Sequence, residues 1–273
     1  MNQALTPLDP AVDYVAEYDN RSRVPEHPAH FAAWAAESAA WRAERPPVER
    51  SYGEGERERV DLFEAGDGRE ASLAVLYIHG GYWQAMDKTS SSVCARGLNL
   101  AGVSVGVAGY DLCPGISIAG IVGQMRAAAR LIASHTGRPV LAAGHSAGGH
   151  LAACLLALEP EVVAAYSISG LFDLRPLVGT PLNRALQLTE DEAVRQSPLA
   201  WAPPAGKTLD AVVGGEEPSE YHRQSRSIAD TWGEPGVRTR YESIEAANHF
   251  TILAPLADPD SAMVARIAEL ARL

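Results

Sequence analysis

The chain has 273 residues, 34 of them acidic and 23 basic, for a net charge of −11 with histidine neutral. That mean field repels phosphate and no Lys/Arg cluster interrupts it, which excludes nucleic acid as a partner. Hydrophobic residues make up 47%, enough for a substantial core, yet no run reaches the roughly 18 apolar residues of a membrane span.

The opening, MNQALTPLDPAVDYVAEYDN, lacks a basic stretch followed by an apolar one, so the expectation is a soluble cytoplasmic protein without membrane association. Residues 1–50 read as a helical appendage to a single domain spanning 1–273. Within it Phe31, Trp34 and Trp41 recur at near-helical spacing from Phe31 to Arg45 until Pro46-Pro47 stops the run, so the tryptophans are expected to be structural.

From Ser72 onward short apolar runs alternate with helical patterns. The runs are Leu73 to His79, Val103 to Tyr110, Pro139 to His145, Val162 to Ser169, Thr208 to Gly215 and Val237 to Ile244, with helices expected at Lys88 to Leu100 and Ile118 to Thr136. Continuous Val/Ala/Ile strands between amphipathic helices describe a mostly parallel, doubly wound α/β sheet covered on both faces. Residues 171–204 break the rhythm with Pro, Asn, Arg and short helical pieces and read as a small helical cap insertion, placed to roof a site beyond the strands' carboxyl ends.

Cys94, Cys113 and Cys154 are odd in number and fit no CxxC spacing, so neither a disulfide framework nor a zinc site is indicated. No metal and no cofactor are expected.

Gly-x-Ser-x-Gly occurs twice, around Ser104 and Ser146. A nucleophile elbow needs a strand before the serine and a helix directly after it, so that a strained turn lifts the hydroxyl clear of the sheet. Ser146 follows PVLAAG and opens SAGGHLAACLLALE, whereas Ser104 is continued by Val105 and Val107 as strand. Ser146 is therefore the candidate nucleophile. The first strand of the series runs into His79-Gly80-Gly81-Tyr82-Trp83, where glycines can turn backbone N–H groups toward an oxyanion, with Gly81, Tyr82 and Ala147 as the donors.

A serine needs a base, and the base an orienting acid, in the chain order Ser, acid, His. Of eight histidines only His222 and His249 follow a suitable acid, and His249 lies in a loop after a strand while His222 falls inside a helical pattern. The acid should follow TLDAVVGG, where Glu216 and Glu217 stand adjacent; Asp210, at the other end of that run, is expected to be exposed or capping.

With HGGYW at His79 to Trp83, GHSAGGH at Gly144 to His150 and SGLFDLRPL at Ser169 to Leu177, the chain resembles the kynurenine formamidase (arylformamidase) family of α/β hydrolases and the bacterial esterases close to it. LNRALQL at Leu182 to Leu188, SPL at Ser197 to Leu199, EYHRQS at Glu220 to Ser225, NHF at Asn248 to Phe250 and YDNRSRVPEHP at Tyr18 to Pro28 extend the resemblance over nearly the whole chain. The family usually carries an aspartate four residues before the aromatic residue of the EYHRQS motif. Glu217 stands there, which favours it over Glu216 and departs from the usual residue.

The resemblance implies hydrolysis of the aryl formamide of N-formylkynurenine to formate and an aryl amine. Tyr82 and Trp83 would then crowd a large acyl group and offer faces to an aromatic leaving group, with Tyr110, Phe172, Trp201 and Phe250 as further wall residues. Rival readings are a carboxylesterase or carbamate hydrolase acting on short-chain aryl esters, and a catalytically inactive hydrolase fold that binds a small aromatic ligand. A homodimer is compatible with the sequence.

Overall fold

The Val, Ala, Leu and Ile runs form the centre of the sheet in the computed structural model, which describes residues 5–65, 71–234 and 236–272. In chain order the strands are β1 (Val48–Ser51), β2 (Arg59–Phe63), β3 (Ala74–Ile78), β4 (Val105–Ala108), β5 (Val140–His145), β6 (Val162–Ile168), β7 (Thr208–Gly214) and β8 (Arg238–Ile244). They lie side by side as β1-β2-β4-β3-β5-β6-β7-β8. Neighbours from β4 to β8 are parallel, and β1 and β2 add an antiparallel edge. The doubly wound, mostly parallel sheet expected from the sequence is thus the one found. β1 was not legible, because VERS is exposed throughout; β2, RVDLF, is largely buried, but Arg59 and Asp61 interrupt its apolar run.

Five longer helices cover the sheet: α1 (His27–Glu44), α2 (Ile118–Thr136), α3 (Ala147–Leu158), α4 (Ser219–Gly233) and α5 (Ala262–Leu270). Side-chain alternation divides the core between the faces. Ala74, Leu76 and Ile78 of β3 belong to the core that includes α2, α3 and α4 on one side, while Val75 and Tyr77 belong to the core that includes Trp41 of α1 and Val264 and Ile267 of α5 on the other. In α2, Ile118, Ile121, Val122, Met125 and Ile132 make the buried stripe; Ser117 caps the start by accepting from Gly120 N, and Gly137 at φ 66° ends it.

The expected helix over Lys88 to Leu100 is instead a 3₁₀ turn, Thr89–Ala95, followed by a short α-helix, Arg96–Leu100. Serine hydroxyls compete there with the backbone: Ser90 and Ser91 donate to the Asp87 carbonyl and Ser92 to that of Lys88. Asp210 is also corrected. It is fully buried, not exposed, and Arg266 of α5 holds it at 2.8 Å, because α5 crosses the face of β7 on which Asp210 sits. Residues 171–204 carry the short helices Arg175–Val178, Asn183–Leu186 and Glu190–Arg195 and a 3₁₀ turn at Pro198–Ala200. Among the described residues no helix is long and apolar enough to cross a membrane.

Candidate active site

At the carboxyl end of β5 the chain turns into α3 within one residue, Ser146, whose backbone sits at φ 57°, ψ −117°. Such a conformation in a residue with a Cβ costs about 1–3 kcal/mol and persists only where its surroundings enforce it. Ser146 N donates to the Ile168 carbonyl at 2.8 Å, and His150 N donates to the Ser146 carbonyl at 3.1 Å. Gly144 and Gly148 allow the strand and helix to close on each other: a Cβ on Gly148 would collide with the Ile78 carbonyl, and one on Gly144 with the backbone of Gly148. The first amides of α3 consequently face the ground beside the hydroxyl, where the helix dipole favours negative charge.

β3 runs in parallel next to β5, and its carboxyl end supplies the neighbouring loop. Gly81 (φ 98°), Tyr82 (49°), Trp83 (56°) and Met86 (72°) all adopt left-handed backbone there. The loop is braced from behind: Tyr110 donates to the His79 carbonyl at 2.9 Å, and Arg57 donates to the carbonyls of Tyr110 at 2.7 Å and Met86 at 2.6 Å. Among the described residues none of the N–H groups of Gly81, Tyr82 and Ala147 donates to a backbone acceptor, which leaves them available to an anionic oxygen.

The loop after β8 carries His249, and the turn after β7 carries Glu217. His249 Nδ1 lies 2.6 Å from Glu217 Oε2, so Nε2 is the ring nitrogen left for a proton transfer. The other carboxylate oxygen, Oε1, accepts from Ser169 Oγ at 2.5 Å and Gly214 N at 2.7 Å. A buried carboxylate is tolerable because both of its oxygens are hydrogen-bonded. Glu216 faces solvent. His222 lies on α4 against the Tyr241 hydroxyl, 3.0 Å away. Beneath His249, His145 packs ring to ring at 4.6 Å; burial and the neighbouring imidazole hold its pKa well below the ordinary value, so it stays neutral when His249 is charged.

Ser146, Gly81, Tyr82 and His249 share one cavity of about 590 Å³. Of the expected wall residues Tyr82 and Phe250 line it. Trp83, Tyr110 and Phe172 do not; all three are fully buried elsewhere. The left-handed turn sends Trp83 inward against His150, 5.0 Å between rings, Tyr110 stacks on His79 at 4.2 Å behind the loop, and Phe172 packs in the core under Gly170. Trp201 is outside as well, its indole donating to the Arg195 carbonyl at 2.9 Å.

The aromatic wall comes instead from the N-terminal segment. Phe31 and Trp34 line the cavity, and with His27 and His30 they surround Phe250 at 5.5 to 6.2 Å between rings. Trp41 is the structural one of the pair, buried against Phe63. Tyr18, Asn20 and Arg21 add a polar rim. The helical spacing of Phe31 and Trp34 was visible in the sequence, but which surface received them was not.

The three thiols are buried, and burial pushes Cys94 up to about 12 and Cys113 up to about 11, so neither is a nucleophile at neutral pH. Among the described residues no group of three His, Cys, Asp or Glu side chains could hold a metal ion. A hydroxyl, a histidine hydrogen-bonded to a carboxylate and a loop with free amides thus border one cavity, the set of groups that acyl transfer uses.

A family model described as the alpha/beta hydrolase fold matches residues 75–205. The kynurenine formamidase of Danio rerio is 30% identical over 222 residues, covering 76% of this chain and 75% of that protein. The kynurenine formamidase of Salmo salar is 32% identical over 228 residues, covering 77% and 76%. A crystal structure from Silicibacter sp. TM1040, provisionally assigned as a thioesterase, is 31% identical with a TM-score of 0.81, over 93% of this chain and 98% of that one. The Pyrobaculum calidifontis esterase, 19% identical with a TM-score of 0.70 over 97% and 98%, shares the fold.

Proposed function

Because the chain belongs to the kynurenine formamidase family of α/β hydrolases, we propose that it is a metal-independent serine hydrolase that cleaves the formamide of N-formylkynurenine or a similar small aromatic amide. The observation that carries the proposal is the convergence of Ser146, His249 and Glu217 with the Gly81–Tyr82 loop on one aromatic-walled cavity. His249 takes the proton of Ser146 as Oγ attacks the formyl carbon. The amides of Gly81, Tyr82 and Ala147, fixed by the backbone before the reaction begins, hold the oxyanion. Glu217 keeps the proton on Nδ1 and stabilises the imidazolium. His249 then protonates the aryl nitrogen, the C–N bond breaks, and water activated by the same histidine releases formate from the serine.

Phe31, Trp34 and Phe250 give a flat leaving group its faces, and Tyr82, close over Ser146, limits the acyl side. A second reading, hydrolysis of short-chain aryl esters or carbamates, uses the same residues, and the provisional thioesterase assignment of the Silicibacter structure fits it. The test is the ratio of kcat/KM on a formanilide, an aryl acetate and an aryl butyrate. A formamidase favours the formanilide and falls off with acyl length; faster butyrate than formanilide turnover would move the function to the esterase reading. Activity undiminished by EDTA is expected, and its loss contradicts the metal-independent chemistry.

A further inference from the structure

The mouth of the cavity carries two charges of opposite sign that are not spent on each other. Among the described residues that line it, histidines aside, Arg21 is the one cation and Asp19 the one anion. Both are exposed, and they stand at the start of a single helical turn, Asn20–Arg23. Asp19 caps that turn, accepting from Ser22 N at 3.1 Å and Ser22 Oγ at 2.7 Å. These bonds hold its carboxyl below the usual range and so keep it ionised, while each oxygen retains a lone pair. The other arginines beside the site are committed: Arg23 to Glu17 at 3.1 Å, Arg57 to the carbonyls that brace the loop, Arg223 to Glu220 at 2.6 Å. Among the described residues Arg21 has neither a hydrogen-bond acceptor nor an ion-pair partner. Its guanidinium lies over Phe31, 5.8 Å from the ring centroid, a contact that steadies it and leaves its N–H donors free.

A row of rings connects Arg21 to the chemistry. The rings of His249 and Phe250 lie 5.7 Å apart, those of Phe250 and Phe31 5.5 Å, and the Arg21 guanidinium follows Phe31. His249 must protonate the leaving nitrogen, so the leaving group is the part of the substrate that extends along this row, its ring against Phe250 and Phe31 and its substituent at the rim. We infer that Arg21 and Asp19 form a subsite for a zwitterionic α-amino-acid head on the leaving group, Arg21 taking the carboxylate and Asp19 the ammonium. The inference rests on the formamidase reading, whose substrate N-formylkynurenine carries such a head at the end of its ring substituent. A lone carboxylate would pair with Arg21 and be repelled by Asp19, and a lone amine the reverse; only a group with both charges satisfies both. The chain's net charge of −11 adds to that selection, because it opposes an anion and is indifferent to a zwitterion. The guanidinium fork can meet the carboxylate with two parallel bonds, a geometry an ammonium cannot supply.

The experiment compares N-formylkynurenine, its desamino analogue, which keeps the carboxylate alone, and formanilide, which has neither charge, in the wild type, Arg21→Met, Arg21→Lys and Asp19→Asn. Arg21→Met keeps an unbranched stem on Phe31 and removes the charge. It is expected to raise KM for N-formylkynurenine about fivefold or more with little change in kcat, so that the kcat/KM ratio to formanilide falls by the same factor. Arg21→Lys should restore part of that ratio. Asp19→Asn preserves the helix cap and should reduce the preference for N-formylkynurenine over its desamino analogue about threefold or more. Labelling of Ser146 by a fluorophosphonate checks that each variant is folded and keeps its nucleophile. Proportional losses on all three substrates, or unchanged ratios in either Arg21→Met or Asp19→Asn, overturn the inference and leave the formamidase reading standing. A wild type that cleaves phenyl acetate and neither N-formylkynurenine nor formanilide overturns the two together.

Discussion

Gly102 to Gly106 and Gly144 to Gly148 carry the same Gly-x-Ser-x-Gly pattern on strands of one sheet, at opposite ends. Ser104 precedes β4 at its amino end and its hydroxyl accepts from Ala65 N at 3.0 Å. Ser146 follows β5 at its carboxyl end, is held at φ 57°, and opens a twelve-residue helix. Around Ser146 stand a second strand end with four left-handed residues, a buried carboxylate–histidine pair and three buried histidines, His79, His145 and His150. The spelling is shared, and the chemistry belongs to the end of the sheet where loops converge and a helix begins.

The sharpest contrast is reactivity. A fluorophosphonate should modify Ser146 to completion and leave Ser104 untouched, as read by peptide mass spectrometry; modification of Ser104, or of neither, breaks the comparison. Next in size is the carboxylate that only the Ser146 end possesses. Glu217→Gln should lower kcat about 10²- to 10⁴-fold by removing the charge that fixes His249, while Glu216→Gln changes it less than about twofold, and steady-state kinetics of the pair decides between them.

The buried histidines give the Ser146 end an acid weakness. Burial lowers His79 and His150 to about 4, below the roughly 6.5 of an unfolded histidine. As pH falls through 6.5 the unfolded chain takes up protons first, so stability declines between about pH 6.5 and 4 and levels off below, by roughly 3 kcal/mol for each histidine at most. Melting temperatures at pH 7.5, 6 and 4.5 should fall in that order; a flat profile contradicts the buried neutral pair. The smallest effect separates the closing glycines. Gly148→Ala drives a Cβ into the backbone of Ile78 and should destabilise by about 2–4 kcal/mol. Gly106→Ala meets only the side-chain ends of Ile132 at 2.7 Å and Val60 at 2.9 Å and should cost about half as much in chemical denaturation; equal losses would mean the elbow is no tighter than an ordinary strand.

The strands β3 to β7 were legible because strands buried on both faces write continuous apolar runs, and the elbow because it joins such a run to a helix. The edge strand β8 is half-exposed but long enough, with Tyr241 and Ile244, to continue the series, whereas the four residues of β1 are exposed throughout and left no signal. Long-range docking left even less. Asp210 looks like a solvated strand-end carboxylate until α5 brings Arg266 across it. Trp83 and Tyr110 adjoin the motifs, yet a left-handed turn and a ring stack carry them away from the cavity, while Phe31 and Trp34 reach it from far along the chain. Asn20 and Tyr221 meet only because α4 and the N-terminal segment converge behind Ser146.

The most direct test is kynurenine formation from N-formylkynurenine, followed by absorbance, for the wild type, Ser146→Ala and Ser104→Ala. Efficient turnover by the wild type and Ser104→Ala, abolished in Ser146→Ala, is the predicted result. Negligible turnover by a folded wild type that still cleaves an aryl ester, or retained turnover in Ser146→Ala, would contradict the account.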